Sequence, residues 1–282
     1  MVGCASRHST LADGEIHVWT ARFVDDEPLT DSRIALLDTD ERMRAARLVE
    51  RRHRMRFIQF HAFTRQVLGR YLGVPAAEVR LTVGPHGKPQ IDRGATHPEL
   101  HFNLSHSEDC CLPAARLGCA VGIDIELVRD MPDALAVARR FFTRSEAELL
   151  ARLDGDARRN AFFALWTHKE AAVKALGESL AQNLKRVELR LDPTGHPRLH
   201  SFAATQTVPG GLWLRRLDAP AGHVAALASL GPCTKVVSCT WNEGAHDPLR
   251  PREHERPDWI GPQGGSAAAV GSREAFDHPR GA

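Results

Sequence analysis

The six residues Val121–Glu126, VGIDIE, constrain this chain more than any other stretch. They have the apolar, β-branched character of a buried strand, yet Asp124 and Glu126 interrupt the run two positions apart. Strand side chains alternate between faces, so the two carboxylates share one face while Ile123 and Ile125 share the other. Two like charges on one face of a core strand require something of opposite charge. One solution is a divalent cation held by carboxylate oxygens. The other is a strand whose acidic edge emerges into solvent, each acid paired with an arginine. No histidine or cysteine lies at ligand spacing, so an ion here would be magnesium rather than zinc.

The 282 residues hold one large domain or two small ones, and 43% hydrophobic content is ordinary for a globular core. A formal charge of +2 is too small to indicate nucleic-acid binding by itself. No run approaches the roughly 18 apolar residues of a membrane span. The opening MVGCASRHSTLADGE lacks an apolar secretory core. Six cysteines form neither a CxxC pair nor a zinc pattern, and the adjacent Cys110 and Cys111 read as buried thiols. A reducing, cytoplasmic setting fits that usage.

The pattern divides the chain into residues 1–118, 119–231 and 232–282. EIHVWTARF alternates as a half-buried strand; residues 40–72 carry a helical stripe of Phe57, Phe60, His61, Val67, Leu68 and Leu72, closed by Gly73. EVRLTV, GPHGKPQI and LHFNLSH then read as short strands joined by turns. The second zone repeats that order: VGIDIE, helical stretches around residues 131–153 and 157–177, then hairpins turning at Asp192–Gly195 and Ala219–Gly222. The expectation is an α+β fold of two similar halves, the likeness lying in element order rather than in residues. The third zone, rich in Pro, Gly and charge, reads as a disordered tail.

Three further groupings bear on chemistry. In LWTHKEAAVKALG (165–177), Glu170 and Lys174 lie four apart on one helix face. That is either an ordinary surface pair or the acid and cation of a phosphoryl-transfer site. Ser105 and His106 in FNLSHS, with Lys88 in GKP, suit phosphate contacts, although GPHGKP is too short for a nucleotide loop and a tight turn is its default. The run Arg42, Arg44, Arg47, Arg51, Arg52, Arg54, Arg56, Arg65 is a solvated helix face, or a surface for an anionic ligand, an acidic protein or RNA.

Taken in order, GKPQI, FNLSHS, VGIDIE, RFFTRSEAELL (140–150) and LWTHKEAAVKALG resemble the 4′-phosphopantetheinyl transferases of the longer, surfactin-synthetase-activating type, across roughly residues 15–230. The resemblance implies a single-chain pseudo-dimer of two α+β halves with coenzyme A and Mg²⁺ in the cleft between them. It implies transfer of phosphopantetheine from coenzyme A to a serine of an acyl- or peptidyl-carrier protein, releasing adenosine 3′,5′-bisphosphate. Position by position, Asp124, Glu126 and Glu170 match the metal-binding acids, and Lys174 the lysine near the pyrophosphate. Glu170 is also the candidate base. Lys88, Ser105 and His106 match coenzyme A contacts, and Arg56 and Arg65 the basic residues of the first half. Glu146 matches an acid of the helical region. The analogy further implies a monomer acting without nucleic acid or membrane.

Some positions depart from that pattern. Pro113 in CCLPAARLG implies a strand edge or a bulge. Ser179 stands where a second glycine is usual, and the last fifty residues have no counterpart. These departures raise a coenzyme A-binding relative without catalysis as an alternative. An RNA-binding module is a third, opposed by a single Tyr and an aromatic content of 6%.

Overall fold

The alternation of EIHVWTAR builds strand β1 (Glu15–Arg22), whose apolar side chains are buried on both faces. This is a computed structural model of the chain, describing residues 11–23, 30–84, 86–92, 99–179, 183–203 and 210–241. Helices α1 (Asp31–Ala35), α2 (Thr39–Arg47) and α3 (Arg51–Leu72) follow. The helical stretch expected over residues 40–72 is therefore broken, because Leu48 and Glu50 are extended between α2 and α3. A hairpin of β2 (Leu81–Val83) and β3 (Pro89–Ile91) comes next, then the antiparallel pair β4 (Leu100–Ser107) and β5 (Cys110–Leu117).

The same plan then recurs. Strand β6 (Val121–Leu127) leads to α4 (Ala134–Phe141), α5 (Arg144–Ala151) and α6 (Gly155–Leu176). A hairpin of β7 (Val187–Leu191) and β8 (Pro197–Phe202) precedes β9 (Leu212–Leu217) and β10 (His223–Leu230). The sheets repeat as well: β1-β5-β4 in one, β6-β10-β9 in the other, so the last strand of each unit lies in the middle. Both α3 and α6 have 22 residues and stop at a glycine in the left-handed region, Gly73 and Gly177. The chain is α+β and two-fold in plan, as its element order implied.

Two expectations need correction. Part of the third zone is ordered: β11 (Lys235–Thr240) adds to the first sheet in parallel beside β1, with Val236 packed in the core on one face and Val237 and Cys239 in the core on the other. Residues 242–282 lie outside the described residues. Pro113 also sits in an interior strand, since β5 runs between β1 and β4. Pairing to β1 passes from Val18↔Ala114 to Ala21↔Cys111, lapsing around Pro113 without a change of register, while the ladder to β4 is unbroken. Proline's missing N–H is absorbed by that local gap.

The inner faces of the two sheets share one core, with Ile16, Val18, Leu112 and Ala114 against Val121, Ile123, Ile125 and Leu227. Cys110 and Cys111 are fully buried free thiols, as expected. The lateral contact between halves is polar. Asn103, Ser105 and Ser107, alternate residues of β4, accept the backbone N–H groups of Ile123 (2.8 Å), Ile125 (3.3 Å) and Leu127 (2.9 Å). A ladder of side chains thus replaces the backbone ladder on the open edge of β6, satisfying donors that would otherwise be stranded.

Candidate active site

The site begins at Gly122. A methyl group there would collide with the Ala171 carbonyl and the Ala175 N–H, and would lie 3.0 Å from the Lys174 carbonyl carbon. Absence of a side chain lets α6 rest directly on β6. The even-numbered face of β6 therefore looks at the last turns of α6. Asp124 on the strand and Glu170 on the helix, 2% and 5% exposed, both reach Lys174.

Lys174 Nζ lies 2.6 Å from Asp124 Oδ1 and 3.4 Å from Glu170 Oε2, with the Ile123 carbonyl and Ser105 Oγ each at 3.4 Å. Ser105 Oγ also donates to Asp124 Oδ1 at 2.8 Å. The other oxygen, Asp124 Oδ2, is buried with no hydrogen-bond partner among the described residues. Burial pushes the Asp124 carboxyl up to about 7, the Glu170 charge adding to it while Lys174 opposes. Burial pulls the Lys174 ammonium down, but Asp124 and Glu170 outweigh it and hold the group above its ordinary value. The opposite charge that the acidic strand demanded is, in this structure, a lysine from the facing helix.

Glu126 is half-buried and its Oε2 accepts from Ser107 Oγ at 3.5 Å. The carboxylates of Asp124, Glu126 and Glu170 do not gather as tightly as those of a closed metal site. Among the described residues, the group whose ligating atoms all lie within 4.8 Å of one another is Asp109, Cys110 and His223. The all-oxygen donor set and the unsatisfied Asp124 Oδ2 nevertheless fit a hard divalent cation.

Lys88 reaches the same junction from the β2–β3 hairpin. Its Nζ donates to the carbonyls of Val121 (3.0 Å) and Lys174 (2.8 Å), clasping β6 to the end of α6. Burial, reinforced by the Lys174 charge, lowers it to about 8. His106, on the opposite face of β4 from Ser105, is exposed and stacks on Phe60 at 4.8 Å. Arg56 meets Glu108 at 3.0 Å beside the β4–β5 turn, and Arg52 meets the same acid at 3.3 Å.

Arg65 is placed elsewhere. Only 1% exposed, it donates to Glu41 (2.6 Å), to the Val79 carbonyl (2.6 Å) and to Asp38. Those acids also cap α2, so the arginine ties the start of α2 to α3 rather than facing Lys174. An open cleft of about 640 Å³ borders Arg65, Asp38 and Arg80 and includes none of Asp124, Glu126, Glu170 or Lys174. Arg42, Arg44, Arg47, Arg51, Arg52 and Arg54 are exposed, the solvated face that such a run ordinarily makes.

Glu146 also acquires a role. Its Oε1 accepts from Leu189 N–H at 2.8 Å, and its Oε2 from Thr143 N–H and Lys169 Nζ, each at 2.8 Å. Lys169, fully buried, donates further to the carbonyls of Leu184 (2.9 Å) and Val187. The pair pins α6 to α5 and β7. Lys169 went unremarked in the sequence; its only signal was a lysine beside Glu170 on a helix face otherwise made of Leu165, Ala172 and Val173.

Residues 120–228 match the 4′-phosphopantetheinyl transferase superfamily, and residues 28–118 match the family described as 4′-phosphopantetheinyl transferase, N-terminal. The boundary between the matches falls between β5 and β6. The 4′-phosphopantetheinyl transferase HetI of Nostoc is 36% identical over 195 residues, 69% of this chain and 82% of the relative. The 4′-phosphopantetheinyl transferase Sfp of Bacillus subtilis is 28% identical over 174 residues, 60% of this chain and 75% of the relative. A crystal structure of a holo-(acyl-carrier-protein) synthase from Bacillus anthracis overlaps 40% of this chain and 96% of its own at 22% identity and a TM-score of 0.33, too partial a likeness to carry weight. With two family matches meeting between the halves and a relative followed over most of its length, the chain belongs to the 4′-phosphopantetheinyl transferase superfamily and is an enzyme of the Sfp-like type.

Proposed function

We propose that this enzyme moves the 4′-phosphopantetheine group of coenzyme A to a serine of an acyl- or peptidyl-carrier protein, using Mg²⁺ and releasing adenosine 3′,5′-bisphosphate. The observation that supports it most is the convergence of Asp124, Glu170 and Lys174 at the contact of β6 and α6, within the matched superfamily region. In the reaction the serine oxygen bonds to the phosphorus that carries pantetheine. The bond from that phosphorus to the bridging oxygen breaks, and adenosine 3′,5′-bisphosphate leaves with the electron pair.

Asp124, Glu126 and Glu170 are the residues that would hold Mg²⁺, which when bound supplies positive charge to the pyrophosphate. Glu170 takes the proton of the incoming serine. Lys174 faces the same acids and neutralises charge on the leaving phosphate. Lys88 and Ser105 fix the relation of β6 to α6, and we assign them, with His106 and Arg56, to the coenzyme A side of the cleft. Arg65 acts there only through the fold. The units we assign are residues 1–118, with β11 added to their sheet, and 119–231. We read the enzyme as a monomer acting without nucleic acid or membrane in a reducing cytoplasm, a redox setting that the buried free thiols Cys110 and Cys111 suit; no described helix is long and apolar enough to cross a membrane.

Incubating the protein with coenzyme A, Mg²⁺ and an apo carrier protein, then weighing the carrier by mass spectrometry, tests this reading. One added phosphopantetheine per carrier, lost when its serine is replaced by alanine, is expected. Unmodified acyl- and peptidyl-carrier proteins alike would refute it.

A further inference from the structure

A second cluster of ligand-type side chains lies at the Ser107–Leu127 end of the seam between the halves. Asp109 and Cys110 stand at the start of β5, and His223 opens β10, where it pairs with Leu127 of β6. The carboxylate, thiol sulfur and imidazole nitrogen lie within 4.8 Å of one another. Nothing in the transfer reaction uses them, and neither sheet supplies all three.

Two of the three are already oriented as metal ligands are. His223 Nδ1 lies 3.2 Å from the Ala221 carbonyl, so it carries the proton and leaves Nε2 with a bare lone pair. That Nε2 is buried and has no hydrogen-bond partner among the described residues. Asp109 is gripped from outside the cluster on Oδ2, where Arg22 donates from Nε at 3.0 Å and from Nη2 at 2.7 Å. Its Oδ1 accepts from the Cys110 thiol at 3.5 Å, a hydrogen bond inside the cluster whose proton a metal ion would displace. An imidazole held through its far nitrogen and a carboxylate held through its far oxygen are the outer-shell arrangement that fixes ligands around a metal.

We propose that Asp109, Cys110 and His223 form a binding site for a borderline-soft divalent cation of the zinc class, clamping the first-half sheet to the second. A mixed sulfur, nitrogen and oxygen set suits zinc or cobalt and disfavours magnesium, so this site does not compete with Asp124 and Glu170 for the same ion. Bonds of about 2.0–2.3 Å place tetrahedral donors roughly 3.3–3.8 Å apart, so closure needs side-chain shifts of about an ångström. Burial pushes the Cys110 thiol up to about 12, the Asp109 charge adding to it. A metal-bound sulfur is a thiolate, so uptake of the ion expels one proton from Cys110. Three protein ligands leave a fourth position for water.

The test is Co²⁺ titration of the full, metal-stripped chain, read by its sulfur-to-cobalt charge-transfer absorption. One Co²⁺ per chain with that band is expected, displaced by Zn²⁺. Cys110→Ser should abolish the band, while His223→Gln and Asp109→Asn should each weaken binding at least tenfold. Cys119→Ser should leave it unchanged. Because Cys110 is wholly buried, the half-exposed His223 gives an independent reading. Zn²⁺ should raise the melting temperature of the stripped wild type and not that of His223→Gln. No Co²⁺ band in the wild type, a band surviving Cys110→Ser, or an equal Zn²⁺ shift in His223→Gln would each overturn the proposal.

Discussion

Lys174 and Asp124 form a direct ion pair at 2.6 Å between the last turn of α6 and the middle of β6, with Glu170 on the same ammonium at 3.4 Å. The pair is nearly dry on the acid side, and Asp124 Oδ2 has no partner among the described residues. A carboxylate so placed is poor at stabilising the fold, since burial of its charge offsets most of the attraction. Its surroundings suit instead a group that waits for a second cation.

Asp124→Asn and Glu170→Gln should therefore separate chemistry from folding. Each keeps the shape of the side chain, and the amide at position 124 removes a buried charge. Carrier modification should fall on the order of 10²–10³-fold in either variant, with a smaller drop in melting temperature than Lys169→Met gives, because Lys174 keeps one of its two acids in each. Calorimetry alongside the mass assay checks both halves of this expectation.

Gly122→Ala should act on the fold, and through it on the contact that joins Asp124 to Glu170 and Lys174. The new methyl group meets backbone on α6, which cannot swing aside as a side chain would. A loss of about 3 kcal/mol or more is expected in urea unfolding.

The Glu146–Lys169 pair should behave as a buried ion pair whose partners cannot be removed singly. Lys169→Met or Glu146→Gln should each cost about 3–5 kcal/mol. The double variant should cost far less than the sum, because neither charge is then left alone. A double-mutant cycle by chemical denaturation measures the difference.

Replacing the seam residues should give a graded result. Asn103→Leu strands the Ile123 N–H in a dry setting and should cost about 1–3 kcal/mol. Ser107→Ala should cost less, because Ser107 is half-buried and water can replace its hydroxyl.

Lys88 carries a pH signature. Its folded-state value of about 8 lies below the ordinary 10.5. The folded protein then binds fewer protons than the unfolded chain between those values. Stability from this group is complete above the unfolded value and is lost as pH falls through the folded one. Relative to Lys88→Met, the wild type should gain about 1–3 kcal/mol between pH 8 and 10.5, as denaturation at several pH values would show.

What the sequence revealed follows from the range of the interactions. The shared face of Asp124 and Glu126, the stop at Gly177 and the repeat of elements are local or periodic, and all are legible. Lys174 as the counter-charge was half legible: its one-turn spacing from Glu170 showed, but not its reach to a strand 50 residues earlier. Ser105 looked like a phosphate contact because a hydroxyl at a strand end is suited to one. Only the alternation of Asn103, Ser105 and Ser107 hinted at a pairing edge, and the edge they serve belongs to another strand. Arg65 lay in a basic run whose other members, Arg56 aside, are exposed, and nothing near it disclosed that Asp38 and Glu41 fold back on it. Pro113 pointed to a sheet margin; an interior strand accepts it by dropping pairs toward one neighbour only.

The account rests on Asp124 and Glu170 serving one cation. Anomalous diffraction from crystals grown with coenzyme A and Mn²⁺ tests this directly. The expected result is a manganese peak bonded to Asp124, Glu126 and Glu170 beside the pyrophosphate. Bound coenzyme A with manganese held away from these three acids would contradict it.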